Sequence, residues 1–173
     1  QLTPQGPLVL RRRRLNDREV FEVKLGDEFL MSSLFIAGEV ALAEIALAGV
    51  SAANADVLVG GLGLGYTARA ALKASNVRSL VVYEKFAPVI GWCRAGLAPN
   101  GAALCADPRV ELVETDFFER AKHAVREPGR FHAILLDIDH SPTALLNEAH
   151  RRFYSPEGLH EAVAWLHADG VLA

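Results

Sequence analysis

The chain has 173 residues, 51% of them apolar and 23% charged, with 18 Lys and Arg against 21 Asp and Glu for a formal charge of −3. That length suits one domain with a proper core, and the balance excludes a disordered chain and any global pull toward nucleic acid or an anionic membrane. Cys93 and Cys105 have no metal-ligand or CxxC spacing, no signal-peptide pattern opens the sequence, and its longest apolar stretch is broken by Glu39 and Glu44, so a cytoplasmic protein without a membrane span is the expectation.

LVLRRRRL and REVFEVKL flank Asn16-Asp17 and read as two strands around a tight turn. Phe21, Val23 and Leu25 alternate with Glu22 and Lys24, which predicts one buried face and one wet face. The run Arg11 to Arg14 admits a phosphate patch, but a solvated strand edge is the expectation. EFLMSS, after Gly26-Asp27, is expected to return as a third strand. From Gly38 to about Gly49 the pattern changes, and Val40, Ile45, Leu47 and many alanines suit a helix closed by a glycine.

Beyond a soft boundary near Ser51 the pattern becomes strand and helix in alternation. Strands are expected at 57–59, 79–84, 109–116 and 131–139, with helices at 66–74, 87–97 and 117–125. Helical stretches follow near 143–151 and 157–168, and GVLA begins a fifth strand. The expected fold is therefore α/β: a small antiparallel β piece with a linking helix over 1–50, then over 51–173 a parallel sheet with helices on both faces.

GGLGLG (60–65) ends the first of these strands and opens a helix. In an open α/β sheet, ligands sit beyond the carboxyl ends of the strands, and glycine there permits close approach of backbone to ligand. Glu84 ends the second strand about 20 residues later, where an acid accepts the ribose hydroxyls of a nucleotide. Asp116 ends the third strand; it can accept from an adenine amino group or cap the helix that follows. GLGYTA also satisfies the dinucleotide pattern, but a pyrophosphate is repelled by Asp116, Asp137 and Asp139, whereas an adenosyl sulfonium is attracted. A nicotinamide enzyme is thus a distant alternative.

The fourth strand, ILLDIDHSP (134–142), ends in Asp137, placed to face a reaction cavity, with Asp139 on the same face if the strand continues. Tyr154, in RRFYSPEG, lines an acceptor pocket or packs on Pro156; both readings stand. No histidine has a metal-site spacing, and His123, His132, His150, His160 and His167 are expected to lie at the surface or partly buried. Trp92 and Trp165 suit core packing.

The segments VLVGGLGLGYTARAAL, VVYEKFAPVIGWCR, ADPRVELVETDFFE, FHAILLDIDHSP and FYSPEGLHEAVAWLHADGVLA together resemble the spermidine/spermine synthase family, the polyamine aminopropyltransferases. The resemblance implies a Rossmann-like class I methyltransferase fold. It also implies S-adenosylmethionine or its decarboxylated form as co-substrate, a small amine acceptor and no metal or nucleic acid. By position it implies that Gly61, Gly63 and Gly65 wrap the cofactor, that Glu84 holds the ribose and that Asp116 and Phe117 hold the adenine. Asp137 is implied as the catalytic carboxylate, with Asp139, His140 and Tyr154 at the acceptor. Family members often dimerise, so a homodimer is expected. The family fold carries two more strands after the fifth, so C-terminal strands are expected to be missing. Four residues depart from the family pattern: Gly63 stands for an aspartate, Met31-Ser32 for Tyr-His, and His140 for the second aspartate of the fourth-strand motif. Methyl transfer to a small molecule, or a non-catalytic adenosyl-binding domain, are the alternatives.

Overall fold

The computed structural model of the chain describes residues 2–3 and 6–173. Its first part is an antiparallel sheet in the order β1 (Leu2–Thr3), β2 (Gly6–Leu15), β3 (Arg18–Leu25) and β4 (Glu28–Ser32). The β2–β3 turn takes Asn16 to φ 52°, a conformation asparagine tolerates well. The alternation along β3 departs from expectation at Glu22, which is buried and not wet. Register explains this. Glu22 lies opposite Arg11, and the guanidinium groups of Arg11 and Arg13 close over its carboxylate, with Nε distances of 2.7 and 3.0 Å. Arg12 faces Glu19 and Arg14 faces Asp17. All four arginines are thus matched by acids of the same hairpin.

α1 (Ala37–Ala48) buries Ala43, Ala46 and Leu47 and leads into the second sheet. The elements then alternate: β5 (Ala55–Gly60), α2 (Tyr66–Ala71), β6 (Val77–Glu84), α3 (Ala87–Arg94), α4 (Gly101–Ala106), β7 (Val110–Glu114), α5 (Phe117–Ala121), β8 (Phe131–Leu136), α6 (Pro156–Val163) and β9 (Leu166–Leu172). The five strands are parallel, in the order β7-β6-β5-β8-β9.

Alternation of side chains builds two cores on the two faces. Val57, Val59, Leu80, Val82, Ala133 and Leu135 face α1 to α4. Leu58, Val81, Tyr83, Phe131 and Ile134 face an aromatic cluster around Phe117, Phe153 and Trp165. Leu8 and Val23 of the small sheet are buried in the first of these cores, so the two sheets share apolar packing.

Most element ends differ by a few residues from the sequence expectation, which has no α4 at all; three differences shape the region after β8. β8 stops at Leu136, where its neighbour β5 ends at Gly60; the Asp137 N–H to the Gly60 carbonyl, at 2.8 Å, is the last rung between them. Between β8 and α6 a 3-10 turn forms over Glu148–Arg152 in place of a longer helix. α6 ends at Val163 and β9 begins at Leu166: the buried Trp165 offers its carbonyl to the N–H groups of Arg130 and Phe131, at 2.7 and 2.9 Å, which draws the chain into the sheet. Among the described residues no helix is long and apolar enough to cross a membrane.

Candidate functional site

The order of the parallel sheet reverses direction at β5, between β6 and β8. In such sheets the crevice at this switch point is where ligands bind. Here a cleft of about 420 Å³ opens over the carboxyl ends of β5 to β8, and Val23, Leu25, Leu30 and Met31 of the small sheet form its opposite wall. That volume lies within the range of small-molecule and cofactor sites, roughly 300–1,000 Å³.

Two glycines make the floor. Gly61 has φ 94°, and a Cβ there would collide with the carbonyl oxygen of Asp137. The turn and the end of β8 are therefore in direct backbone contact. Gly63 has φ 49°, and a Cβ there would run into the Met31 sulfur. Met31 Sδ also accepts the Leu64 N–H at 2.8 Å. The small sheet is thus seated on the glycine turn through one thioether. Gly65 starts α2, and its carbonyl accepts the Arg69 N–H at 3.0 Å; it lies behind the cleft wall.

The acids at the strand ends have distinct surroundings. Glu84 is buried, and its carboxylate accepts the N–H groups of Leu62 at 3.0 Å and Phe86 at 2.8 Å. Burial pushes its carboxyl up, and these backbone donors only partly oppose it. Backbone N–H groups of Gly63 and Lys85 add to this donor set, so the carboxylate is held from several sides by the turn around it. Asp116 caps α5 through Phe118 and Glu119 N–H groups and pairs with Lys85 at 2.9 Å. Burial pushes its carboxyl up, but Lys85 and the two N–H groups outweigh it, and the group lies below its ordinary value. Phe117 lines the cleft beside it, held edge-on by Phe153 and Trp165. The absence of a side chain at Gly60 leaves room for its ring.

Asp137 accepts the Thr67 hydroxyl at 2.6 Å. Burial pushes its carboxyl up; Thr67 opposes this and Glu39 adds to it, leaving the group above its ordinary value. Asp139 is turned away from Asp137's strand register, since β8 has already ended. Its carboxylate receives the Leu146 N–H at 2.8 Å, the Tyr154 hydroxyl at 3.0 Å and His150 Nδ1 at 2.9 and 3.0 Å. Asp139 and His140 line the cleft, whereas Tyr154 supports Asp139 from outside the lining.

Four groups in or directly behind the cleft escaped sequence reasoning. Thr67 and Asp137 are 70 residues apart, and the signal for the threonine was a hydroxyl in the first turn after the glycines. Glu39, from the first turn of α1, adds a further acid to the lining. Met31 had shown itself only as a departure from a family pattern. His150, expected at the surface or partly buried, is buried, stacked on Phe118 at 3.9 Å and placed in the lining. The lining carries Glu39, Glu84, Asp116, Asp137 and Asp139 against Lys85, which is spent on Asp116, and two histidines. The arrangement favours a cation. Among the described residues no group of His, Cys, Asp and Glu is placed to hold a metal ion.

No family model matches the chain. Among curated proteins it is similar to the polyamine aminopropyltransferase of Pyrobaculum islandicum, 29% identical over 117 residues, and to that of Pyrobaculum arsenaticum, 26% identical over 117 residues. Each match covers 68% of this chain and 39% of the relative, so the chain matches about two fifths of the curated relatives' length. Among solved structures, a spermidine synthase in complex with the transition state analogue AdoDATO superposes with a TM-score of 0.71 at 20% identity, over 95% of this chain and 56% of that one. The spermidine synthase of Thermotoga maritima gives 0.70 at 19% identity, over 95% and 55%. At those identities the structural likeness is one of fold.

Proposed function

We propose that this chain, spermidine synthase-like in sequence and fold, binds decarboxylated S-adenosylmethionine and transfers its aminopropyl group to a small amine. The observation that carries this is Asp137: a partly buried carboxylate at the switch point, against the glycine turn and oriented by Thr67. Gly61 and Gly63, with Gly65 behind them, shape the donor side. Glu84 lies at the ribose, and Asp116 and Phe117 flank the adenine. Asp139 and His140, backed by Tyr154, form the acceptor end.

The charge of the lining favours the decarboxylated form of the co-substrate. A carboxylate tail entering a lining of five acids meets repulsion that a decarboxylated, ammonium-bearing tail does not. In the reaction the acceptor nitrogen, once neutral, forms a bond to the carbon beside the sulfonium. The carbon–sulfur electron pair goes to sulfur, methylthioadenosine leaves, and the nitrogen ends positively charged. Asp137 orients that nitrogen and supplies the counter-charge in a site of low dielectric, where such stabilisation is largest. Holding the two reactants in line contributes much of the remaining acceleration.

One observation favours a second reading. Met31 stands over Gly63, so that wall offers a thioether and no acid to an aminopropyl amine. Methyl transfer from S-adenosylmethionine is the corresponding alternative. The two are separated by incubating the protein with each donor and a panel of di- and polyamines. Methylthioadenosine from the decarboxylated donor supports aminopropyl transfer, and S-adenosylhomocysteine from the other supports methyl transfer. Binding of methylthioadenosine with no product from any pair would leave only an adenosyl-binding domain.

A further inference from the structure

The amine that attacks must first lose a proton, and it becomes a cation again when the new bond forms. One carboxylate serves both stages poorly. If Asp137 takes the proton it becomes neutral and no longer offsets the charge that grows on nitrogen. The cleft therefore calls for a second proton acceptor. We propose that His150 is that base, and that its Nε2 takes the proton from the acceptor ammonium. This deepens the aminopropyl-transfer reading above and rests on it.

The geometry carries the assignment. His150 Nδ1 sits 2.9 and 3.0 Å from the two Asp139 oxygens. The Asp139 side chain has no exposed surface, and it already receives the Tyr154 hydroxyl and the Leu146 N–H. A buried carboxylate with those donors acts as an acceptor, so it places the imidazole hydrogen on Nδ1 and leaves Nε2 with its lone pair. Asp139 is thus the positioning residue of the pair, and Tyr154 and Leu146 hold Asp139. Phe118 fixes the ring plane by stacking at 26°. His150 lines both the large cleft and a smaller neighbouring cavity that also touches Lys85, Asp116, Glu119 and Lys122. In the balanced step the ammonium proton moves to Nε2, the freed lone pair forms the nitrogen–carbon bond, the carbon–sulfur pair leaves with sulfur, and the imidazolium releases its proton to water.

His150→Asn keeps an amide N–H for Asp139 and removes Nε2. With decarboxylated S-adenosylmethionine and putrescine, kcat should fall at least about 100-fold, while KM for putrescine and calorimetric binding of methylthioadenosine stay within about threefold of the unsubstituted chain. His150→Gln repeats the test if the asparagine variant does not bind methylthioadenosine. Independently of turnover, ¹⁵N NMR of the histidine rings, with His150 assigned from its absence in the variant, should show an Nδ1–H tautomer whose Nε2 resonance moves when putrescine is titrated in. A variant that keeps more than about a tenth of kcat overturns the proposal, as does an Nε2 signal that putrescine does not move. If the unsubstituted chain converts no amine, aminopropyl transfer falls, and the NMR titration alone then decides whether His150 meets the amine.

Discussion

Asp137 is a residue whose setting opposes stability and favours chemistry. Burial, with Glu39 nearby, holds its carboxyl above the ordinary value. A carboxyl raised on folding gives stability that is complete below the unfolded pKa and lost as pH rises through the folded one. Asp137→Asn should therefore raise Tm at pH 7, by roughly 2–4 °C if about 1 kcal/mol is recovered, and the gain should vanish near pH 4. The same variant should lower methylthioadenosine formation by at least about 1,000-fold, the loss expected of a principal charge-stabilising group. Calorimetric melting across pH 4–8 checks the first outcome and product assay the second. Gly63 gives the opposite case, a position set by its neighbour. Gly63→Ala should cost about 1–2 kcal/mol from the left-handed backbone alone, and more from the collision with Met31. Met31→Ala in the same chain should return the second part but not the first, measured by urea unfolding. The strand-end acids were legible because position in a βα pattern assigns them. Thr67, Met31 and His150 were not, because each acts through a partner that only the fold brings near.

At the scale of elements, the β2–β3 hairpin shows what a period-2 pattern cannot say. Alternation placed Glu22 on the solvent side, and two arginines on the facing strand then roofed it. The Arg13 hydrogen bond, with Arg11 added and burial opposing, holds its carboxyl below the ordinary value. Here the sign reverses: the stability is present above the unfolded pKa and lost as pH falls through the folded one. Glu22→Gln should flatten the acid limb of the stability curve between about pH 5 and pH 3, while changing the melting temperature little at the low end. Equilibrium unfolding at a series of pH values reads both. The α3–α4 pair went partly unseen in sequence, since α4 is six residues long and too short to show a helical period. That pair sets Cys93 and Cys105 with sulfurs 3.9 Å apart. Burial first, and Cys105 second, push the Cys93 thiol up to about 12. Iodoacetamide at pH 8 should accordingly label the exposed Cys105 and spare Cys93 in the folded chain, as peptide mass spectrometry would show.

For the whole molecule, the sequence separates a β-rich beginning from an α/β body, while the packing joins them. Leu8 and Val23 are buried in the same core as α1 and β5, and Met31 reaches across to the glycine turn. Periodicity reports which face of an element is apolar but not which other element covers it, so this junction was invisible until the fold was known. If the shared core governs unfolding, the small sheet and the body belong to one cooperative unit. Leu8→Ala removes a fully buried side chain and should cost about 2–4 kcal/mol. The decisive feature is where that cost is felt. Trp92 and Trp165 lie in the α/β body, so their fluorescence follows the second sheet, while amide exchange along β3 follows the first. In one cooperative unit both probes move to the same lower urea midpoint, and the cleft, whose walls come from the two sheets, loses methylthioadenosine binding at that midpoint too. Were β3 to exchange early while the tryptophan transition stayed in place, the small sheet would unfold by itself, and the cleft would lose one wall without the body melting.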